Sequence, residues 1–142
     1  MKADDGCIFC KIVTGELPCF KVCENDRTLT FMDLFPVAEG HTLVIPKQHC
    51  ADIFEIDADS LAAVTAASLR VARAIDEALN PDGLGVFQLN RAAAGQTVFH
   101  YHMHLLPRTA GEPLALHSRV RGNDDALRAT AERITAALDR EN

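Results

Sequence analysis

Short runs of apolar residues, bounded by turn-forming residues, recur five times along the chain and predict five β-strands. The predicted strands cover residues 20–24, 28–32, 41–45, 84–89 and 98–106. A turn at residues 25–27 separates the first two strands, and Pro46 ends the third. Short connections between strands favour antiparallel pairing, so we expect one five-stranded antiparallel sheet.

Two longer segments carry apolar residues at the spacing of an amphipathic helix. The first is capped by Asp57 or Asp59, runs to Leu79 and is stopped by the turn at residues 80–83. The second covers about residues 124–140, with acidic residues in its first turn, as the helix dipole prefers. The chain has no repeat, linker or low-complexity tract. We therefore predict a single α+β domain, residues 1–142, with one sheet and two helices.

The fifth predicted strand contains His100, His102 and His104, which alternate and would therefore share one face of a strand. The intervening residues Phe99, Tyr101, Met103 and Leu105 would then pack inward. A core does not need three imidazoles. Imidazole binds metals and also acts as a nucleophile or proton shuttle, so the row alone leaves metal binding, catalysis and an exposed strand without function as alternatives.

The loop that precedes these three histidines helps to choose among the alternatives. Residues 90–97 combine small residues with the amide and hydroxyl groups of Asn90, Gln96 and Thr97, which can donate hydrogen bonds to anionic oxygens. Gly95 allows a close backbone approach and a positive φ. The loop therefore has the composition of a phosphate-binding site.

Residues 95–106 resemble the His-φ-His-φ-His-φ-φ signature of the histidine triad (HIT) family of nucleotide-binding proteins. Residues 7–18 look like the amino-terminal segment of that family, and residues 40–49 look like its central strand and turn. The resemblance therefore spans roughly residues 7–108, with three motifs in the expected order. It implies a HIT-like fold, a purine nucleotide or nucleotide conjugate as ligand, and a homodimer that pairs two sheets.

The resemblance also implies a reaction. The middle histidine of the family's triad is the nucleophile, here His102, which attacks the α-phosphorus and forms a nucleotidyl-histidine intermediate. Its ring must be neutral, with one nitrogen free and the other protonated and held by a backbone carbonyl. His104 would serve the leaving group by proton transfer or by a hydrogen bond, and His41 would support the site as a further imidazole.

The binding residues implied by the resemblance fall into two groups. Phosphate would be held by Asn90, Gly95, Gln96 and Thr97, together with His102 and His104. Asp33 would accept the ribose hydroxyls, and an apolar slot for the base would come from Ile8, Phe9, Phe31 and Leu34, although ordinary core packing explains Ile8 and Phe31 as well. The chain departs from the family at Arg91, where a small residue is usual; this side chain either adds a cation near the leaving group or points to solvent.

The pair Cys7 and Cys10 has the Cys-x-x-Cys spacing, which fits zinc, a redox pair or two buried thiols. The redox motif expects a strand before the first cysteine, and only six residues precede Cys7. In the zinc-bearing subset of the family, two histidines complete the site, here His49 and His100. Two thiolates and two imidazoles make a closed tetrahedral site of the structural kind.

The composition of the chain indicates the class of protein to which it belongs. The 142 residues are 48% hydrophobic and 24% charged, which is ordinary for a soluble globular domain, and no apolar run has the length of a membrane span. A net charge of −6 without Lys/Arg clusters argues against a nucleic-acid polymer as ligand. Residues 1–6 lack the apolar core of a signal peptide, and five cysteines argue against a disulfide framework, so we expect a cytoplasmic protein without membrane contact.

The expected activity is hydrolysis of nucleoside phosphoramidates or related conjugates of adenosine monophosphate. A dinucleoside polyphosphate hydrolase is the alternative among enzymes, favoured by Gln96, Thr97 and the ending at Arg108. A nucleotide-binding scaffold is the alternative from another class.

Overall fold

The computed structural model describes residues 4–140; residues 1–3, which carry part of the signal-peptide expectation, and residues 141–142 lie outside this range. In chain order the elements are α1 (Ile8–Thr14), β1 (Lys21–Glu24), β2 (Thr28–Met32), β3 (Thr42–Pro46), α2 (Ala58–Leu79), β4 (Gly83–Phe87), β5 (Met103–Arg108) and α3 (Asp124–Arg140). A short 3₁₀ turn, Ala92–Ala94, lies between β4 and β5. Within the described range, no helix is both long and apolar enough to span a bilayer.

The five strands form one antiparallel sheet in the order β1-β2-β3-β5-β4. Helices α2 and α3 cover one face, where fully buried side chains such as Val44, Ile75, Leu105 and Ile134 form the main core. Helix α1 lies on the other face, where it packs on a smaller apolar cluster. The prediction of an α+β fold with a five-stranded antiparallel sheet is confirmed.

The two long helices begin and end close to the predicted residues. Asp57 is the cap of α2, because its side chain accepts a hydrogen bond from the backbone N–H of Ser60. The helix ends at Leu79, followed by Asn80 in the left-handed conformation (φ 47°). Local capping and periodicity are therefore sufficient to define these helices.

Helix α1 was not predicted, and the expected number of two helices is therefore too low. It begins after Cys7, whose Sγ accepts the backbone N–H of Cys10 at 3.4 Å, and it ends at Gly15 with φ 86°. Seven residues make only about two turns, too few for a helical period to emerge from the sequence. Contacts with the sheet, not propensity, hold this helix.

The fifth strand begins later than predicted, at Met103 instead of residue 98. His100 and His102 therefore lie in an irregular segment before the strand, and the expectation that all three histidines share one face of a single strand is wrong. Phe99 was expected to pack inward, yet its side chain is 53% exposed. The backbone N–H of Tyr101 donates to Cys50 O at 2.8 Å instead of entering the sheet ladder.

Candidate active site and metal centre

A cavity of about 590 Å³ lies between α1 and the face of the sheet opposite α2 and α3. The sheet register explains its floor: Phe31 pairs with Leu43, Leu43 with His104, and His104 with Phe87, so these residues share one face. Eight of the residues predicted to bind nucleotide line this cavity, namely Ile8, Phe9, Phe31, Asp33, Leu34, Thr97, His102 and His104.

Part of the cavity wall is apolar and includes two phenylalanine rings. The rings of Phe9 and Phe31 meet edge to face with centroids 5.4 Å apart, and the Phe9 ring meets that of His102 at 5.2 Å. Ile8 and Leu34 extend the apolar wall. Aromatic and aliphatic walls of this kind can hold a planar base.

Asp33 follows directly after β2 and supplies a carboxylate to the cavity. Its Oδ1 accepts the backbone N–H of Phe35 at 2.9 Å, and its Oδ2 lies 3.5 Å from Nε2 of His41. Burial raises the pKa of this carboxyl, and its position in the cavity lets it accept hydrogen bonds from a ligand.

His102 has one ring nitrogen fixed and the other free. Its Nδ1 lies 2.7 Å from the backbone carbonyl oxygen of His100, and because a carbonyl can only accept, Nδ1 carries the proton. Nε2 therefore keeps its lone pair. Burial lowers the pKa of the ring, which is only 6% exposed, so the neutral nucleophilic form is favoured near neutral pH.

His41 and His104 form a chain of defined hydrogen bonds. The backbone N–H of Val37 donates to His41 Nδ1 at 3.1 Å, so the proton of His41 lies on Nε2, which donates to His104 Nδ1 at 3.0 Å. His104 must then carry its proton on Nε2, which is buried and has no partner among the described residues. Burial and neighbouring imidazoles lower the pKa of His41 to about 4 and that of His104 to about 2.

The hydrogen bonds that join Val37, His41 and His104 also argue against a second metal site. Ligating atoms of Asp33, His41 and His104 lie close enough together to hold an ion. However, Nε2 of His41 carries a proton because its Nδ1 accepts from Val37, and a protonated nitrogen cannot bind a metal. The cluster is therefore a proton-ordered hydrogen-bond network.

The loop at residues 90–97 uses two of its predicted phosphate ligands to hold itself in place. The Gln96 side chain is 4% exposed, donates to Ala51 O at 2.6 Å and accepts from the backbone N–H of Arg91 at 2.6 Å. The Asn90 side-chain oxygen accepts the backbone N–H of Ile53 at 2.8 Å. Asn90, Gly95 and Gln96 do not line the cavity, whereas Thr97 does.

Arg91 points away from the cavity. Its guanidinium lies 4.3 Å from the centre of the Phe54 ring, and its Nε is 4.0 Å from Asp52 Oδ2. The Arg91 backbone has φ 73° and ψ 158°, a conformation that favours glycine almost exclusively. Of the two alternatives for Arg91, the solvent-facing one therefore agrees with the structure.

The second cluster joins Cys7, Cys10, His49 and His100 beside the cavity. The two Nδ1 atoms are 3.3 Å apart, and the measured sulfur-to-nitrogen distances are 3.3, 3.4 and 3.6 Å. Tetrahedral zinc with ordinary bond lengths would separate its ligand atoms by about 3.3 Å for two nitrogens and about 3.6 Å for sulfur and nitrogen. The donor set and its spacing therefore fit zinc.

Surrounding groups orient these ligands. Nε2 of His100 donates to Pro46 O at 2.8 Å, which leaves its Nδ1 unprotonated toward the sulfurs, and Nε2 of His49 lies 3.8 Å from a carboxylate oxygen of Asp4. The backbone N–H of Cys10 donates to Cys7 Sγ. With four protein ligands, such a site has no open position, which is typical of structural zinc.

The cavity residues that sequence reasoning missed include His117, Ser118 and Arg119. These three lie in the irregular segment between β5 and α3, where no period or motif identifies them. The stacking of Phe87 on His104, with centroids 4.5 Å apart, was also missed. One feature of the sequence could have pointed to His117, because it is the only histidine outside the recognised motifs. In the structure all six histidines lie at the cysteine–histidine cluster or at the cavity site.

Comparison with known families and sequences gives a consistent result. The HIT domain family matches residues 14–111. An uncharacterized HIT-like protein of Mycoplasma pneumoniae is 40% identical over 96% of this chain and 95% of its own length. An adenosine 5′-monophosphoramidase of Schizosaccharomyces pombe is 40% identical over 72% of this chain and 74% of its own, and an adenylylsulfatase of Arabidopsis thaliana is 39% identical over 79% and 60%.

Solved structures agree. A HIT-like protein from Bartonella henselae, described as involved in cell-cycle regulation, has a TM-score of 0.89 at 37% identity, covering 96% of this chain and 99% of that one. A zinc-bound histidine triad family protein from Mycobacterium smegmatis has a TM-score of 0.85 at 36% identity, covering 95% and 94%.

Proposed function

This chain belongs to the HIT domain family, and from that membership we propose that it hydrolyses nucleoside phosphoramidates or related conjugates of adenosine monophosphate. The observation that carries the proposal is the ring of His102, whose protonated Nδ1 is held by a carbonyl while its free Nε2 belongs to a residue lining the nucleotide-sized cavity. An adenosine 5′-monophosphoramidase among the relatives supports the substrate class.

In the proposed reaction, Nε2 of His102 attacks the α-phosphorus, and the bond from phosphorus to the leaving group breaks. The ring becomes a nucleotidyl-imidazolium whose positive charge is stabilised by the hydrogen bond from Nδ1–H to the His100 carbonyl. A leaving amine takes up a proton from water. Water then attacks the phosphorus, releases adenosine monophosphate and restores His102.

His104 acts in this scheme as a hydrogen-bond donor. Its Nε2–H is buried without a partner in residues 4–140 and belongs to a ring that lines the cavity, so a phosphate oxygen would satisfy it. The strongly lowered pKa of His104 favours donation of a hydrogen bond over transfer of a proton. His41 positions His104, because its Nε2–H fixes the tautomer.

The remaining predicted residues take binding roles. Phe9, Phe31 and their apolar neighbours hold the base, Asp33 accepts the ribose hydroxyls, and Thr97 donates to the phosphate. Asn90 and Gln96 act through the loop they brace, since their side chains are engaged with Ile53 and Ala51. Gly95 supplies the left-handed turn (φ 104°) that ends the 3₁₀ segment.

We propose that Cys7, Cys10, His49 and His100 hold a structural zinc ion, as the zinc-bound relative from Mycobacterium smegmatis suggests. Bound zinc would supply cross-linking, not chemistry at the phosphate. It would tie the start of α1 to the segment before β5, and both elements line the cavity.

A homodimer is the expected assembly. Strand β4 lies at the edge of the sheet, and the Val86 side chain on it is 54% exposed. An edge strand with an exposed apolar side chain is suited to pairing with a second copy. Light scattering of the purified protein tests this expectation.

One experiment tests the proposed activity. The purified chain and its His102→Asn variant are offered an adenosine monophosphate phosphoramidate, a dinucleoside polyphosphate or buffer alone, with mass detection of free product and of nucleotide attached to the protein. We expect turnover and labelling only with intact His102. If the unmutated chain binds adenosine monophosphate but turns over neither conjugate, the scaffold function replaces the hydrolase.

A further inference from the structure

The segment at residues 109–123 contributes one wall of the cavity, and contacts with other parts of the chain hold it in place. The backbone N–H of Gly122 donates to Leu34 O at 2.8 Å, which ties the segment to the turn after β2. A Cβ at Gly95 would lie 3.2 Å from Nε2 of His117, so the segment also rests against the loop before the histidine row. His117, Ser118 and Arg119 of this segment line the cavity.

His117 of this wall lies near the histidine row. The rings of His104 and His117 have centroids 6.3 Å apart, and His102 and Thr97 line the same cavity. His117 thus lies beside His104 and the loop at Gly95, which would border the phosphate, so a leaving group joined to that phosphate can reach this wall.

The permanent positive charge of this wall is the guanidinium of Arg119. Within residues 4–140, Arg119 makes no ion pair, whereas Arg121, two residues away, pairs with Asp124 at 3.0 Å. Asp33 is the carboxylate that lines the cavity, and it lies close enough to His117 to interact electrostatically. An arginine at the cavity wall that pairs with no carboxylate of residues 4–140 keeps its guanidinium donors for an anionic ligand.

We propose that Arg119 and His117 form a leaving-group subsite that binds a tetrahedral oxyanion, phosphate or sulfate, joined to the α-phosphate of the nucleotide. This inference rests on the proposed function and specifies its substrate: conjugates with an anionic leaving group are favoured over those with an amine.

The chemistry of the two leaving groups explains the preference. When Nε2 of His102 forms its bond to phosphorus, the phosphorus–oxygen bond breaks and the oxyanion leaves with the electron pair. A sulfate or phosphate oxyanion is a weak base and needs no proton, but its growing negative charge is stabilised by a guanidinium. An amine leaves neutral after protonation and gains nothing from Arg119.

A binding experiment tests the subsite without turnover. In the His102→Asn background, the dissociation constants of adenosine diphosphate and adenosine monophosphate are measured by calorimetry with Arg119 intact, Arg119→Ala, Arg119→Lys and, as the matched control, Arg121→Ala. We expect Arg119→Ala to weaken the diphosphate about tenfold and the monophosphate less than about threefold, Arg119→Lys to retain part of the difference, and the control to change neither.

Turnover in the unmutated background gives the second measurement. Arg119→Ala should lower kcat/KM for adenylyl sulfate about tenfold while changing that for an amine phosphoramidate less than about threefold. Equal losses for the two substrates, equal losses of diphosphate and monophosphate affinity, or the same losses in Arg121→Ala would overturn the subsite. If the chain turns over no conjugate but the diphosphate-selective loss is found, the subsite stands and the hydrolase proposal fails.

Discussion

His100 and His102 are separated by one residue, yet the structure gives them opposite ring nitrogens to offer. His100 donates from Nε2 to Pro46 O and directs Nδ1 toward two sulfurs. His102 donates from Nδ1 to His100 O and leaves Nε2 free. The position of the carbonyl acceptor therefore decides which ring nitrogen His100 offers to the cysteine pair and which one His102 keeps free.

The two regions also differ in how completely their polar groups are satisfied. Each side chain of the cluster Cys7, Cys10, His49 and His100 has another member of the cluster within 3.6 Å. At the cavity, by contrast, Nε2 of His104 is buried without a partner in the described part of the chain. A closed region of this kind contributes to stability, and an open one is prepared for a ligand.

The largest expected effect comes from a substitution at the cavity that leaves the cluster of Cys7, Cys10, His49 and His100 intact. His102→Asn removes the nucleophile, so kcat should fall about 10⁴-fold or more, in line with the loss of other catalytic nucleophiles, while adenosine monophosphate still binds. Zinc content should not change, because His102 is not a ligand. Labelling that persists, or that moves to His104, would contradict the assignment.

The next largest effect comes from a substitution within the cluster of Cys7, Cys10, His49 and His100. Cys10→Ser removes a thiolate ligand, so the chain should lose its zinc and about 3 kcal/mol or more of unfolding free energy. Elemental analysis and urea unfolding measure the two quantities. Cys23→Ser, which lies outside the cluster, is the matched control; a metal-free protein with an unchanged melting temperature would mean that the cysteine pair only packs.

Within the open region, Thr97→Ala distinguishes turnover from binding. If Thr97 contacts the phosphate mainly in the transition state, kcat/KM for a phosphoramidate should fall about tenfold, equivalent to about 1.4 kcal/mol, with a less than threefold change in the dissociation constant of adenosine monophosphate. Thr65→Ala, on the exposed side of α2, is the control. Equal losses in both quantities would indicate uniform binding.

The pH dependence of the unfolding free energy tests whether the buried His41 beside the cavity is neutral in the folded protein. His41 has a pKa of about 4 in the folded protein and about 6.5 when unfolded, so the unfolded chain binds more protons between these values and stability falls as the pH decreases from 6.5 to 4. His41→Asn should flatten the slope of unfolding free energy by up to about 1.4 kcal/mol per pH unit. Urea unfolding of both proteins measures it, and unchanged slopes would contradict a neutral buried His41.

The smallest expected effect on activity concerns Arg91. Arg91→Gly removes a strained backbone conformation, which costs about 1–3 kcal/mol, and also the contact with Phe54, which contributes about 0.5–1 kcal/mol. We therefore expect a net gain of about 1 kcal/mol in stability, with kcat/KM changed less than about twofold. A large loss of activity would place the guanidinium at the phosphate after all.

The sequence by itself determined most of the elements and the residue types of both sites. The presence of five strands and of helices α2 and α3 follows from periodicity and capping, which are encoded by neighbouring residues, whereas α1, the start of β5 and the choice of Asp57 over Asp59 as the cap do not. The pairing of Cys7 and Cys10 with two histidines, and the residues that would line a nucleotide slot, followed from the family resemblance. These features can be predicted because each residue involved belongs to a contiguous motif.

Only the tertiary structure decided how each side chain is used. The nitrogen that His100 offers depends on Pro46, 54 residues away, and the engagement of Gln96 depends on Ala51, 45 residues away. The place of His117 depends on a segment without periodicity that is held by Leu34 and Gly95. Hydrogen-bond partners so distant along the chain leave no local pattern, because packing of the sheet brings them together only after the elements have formed.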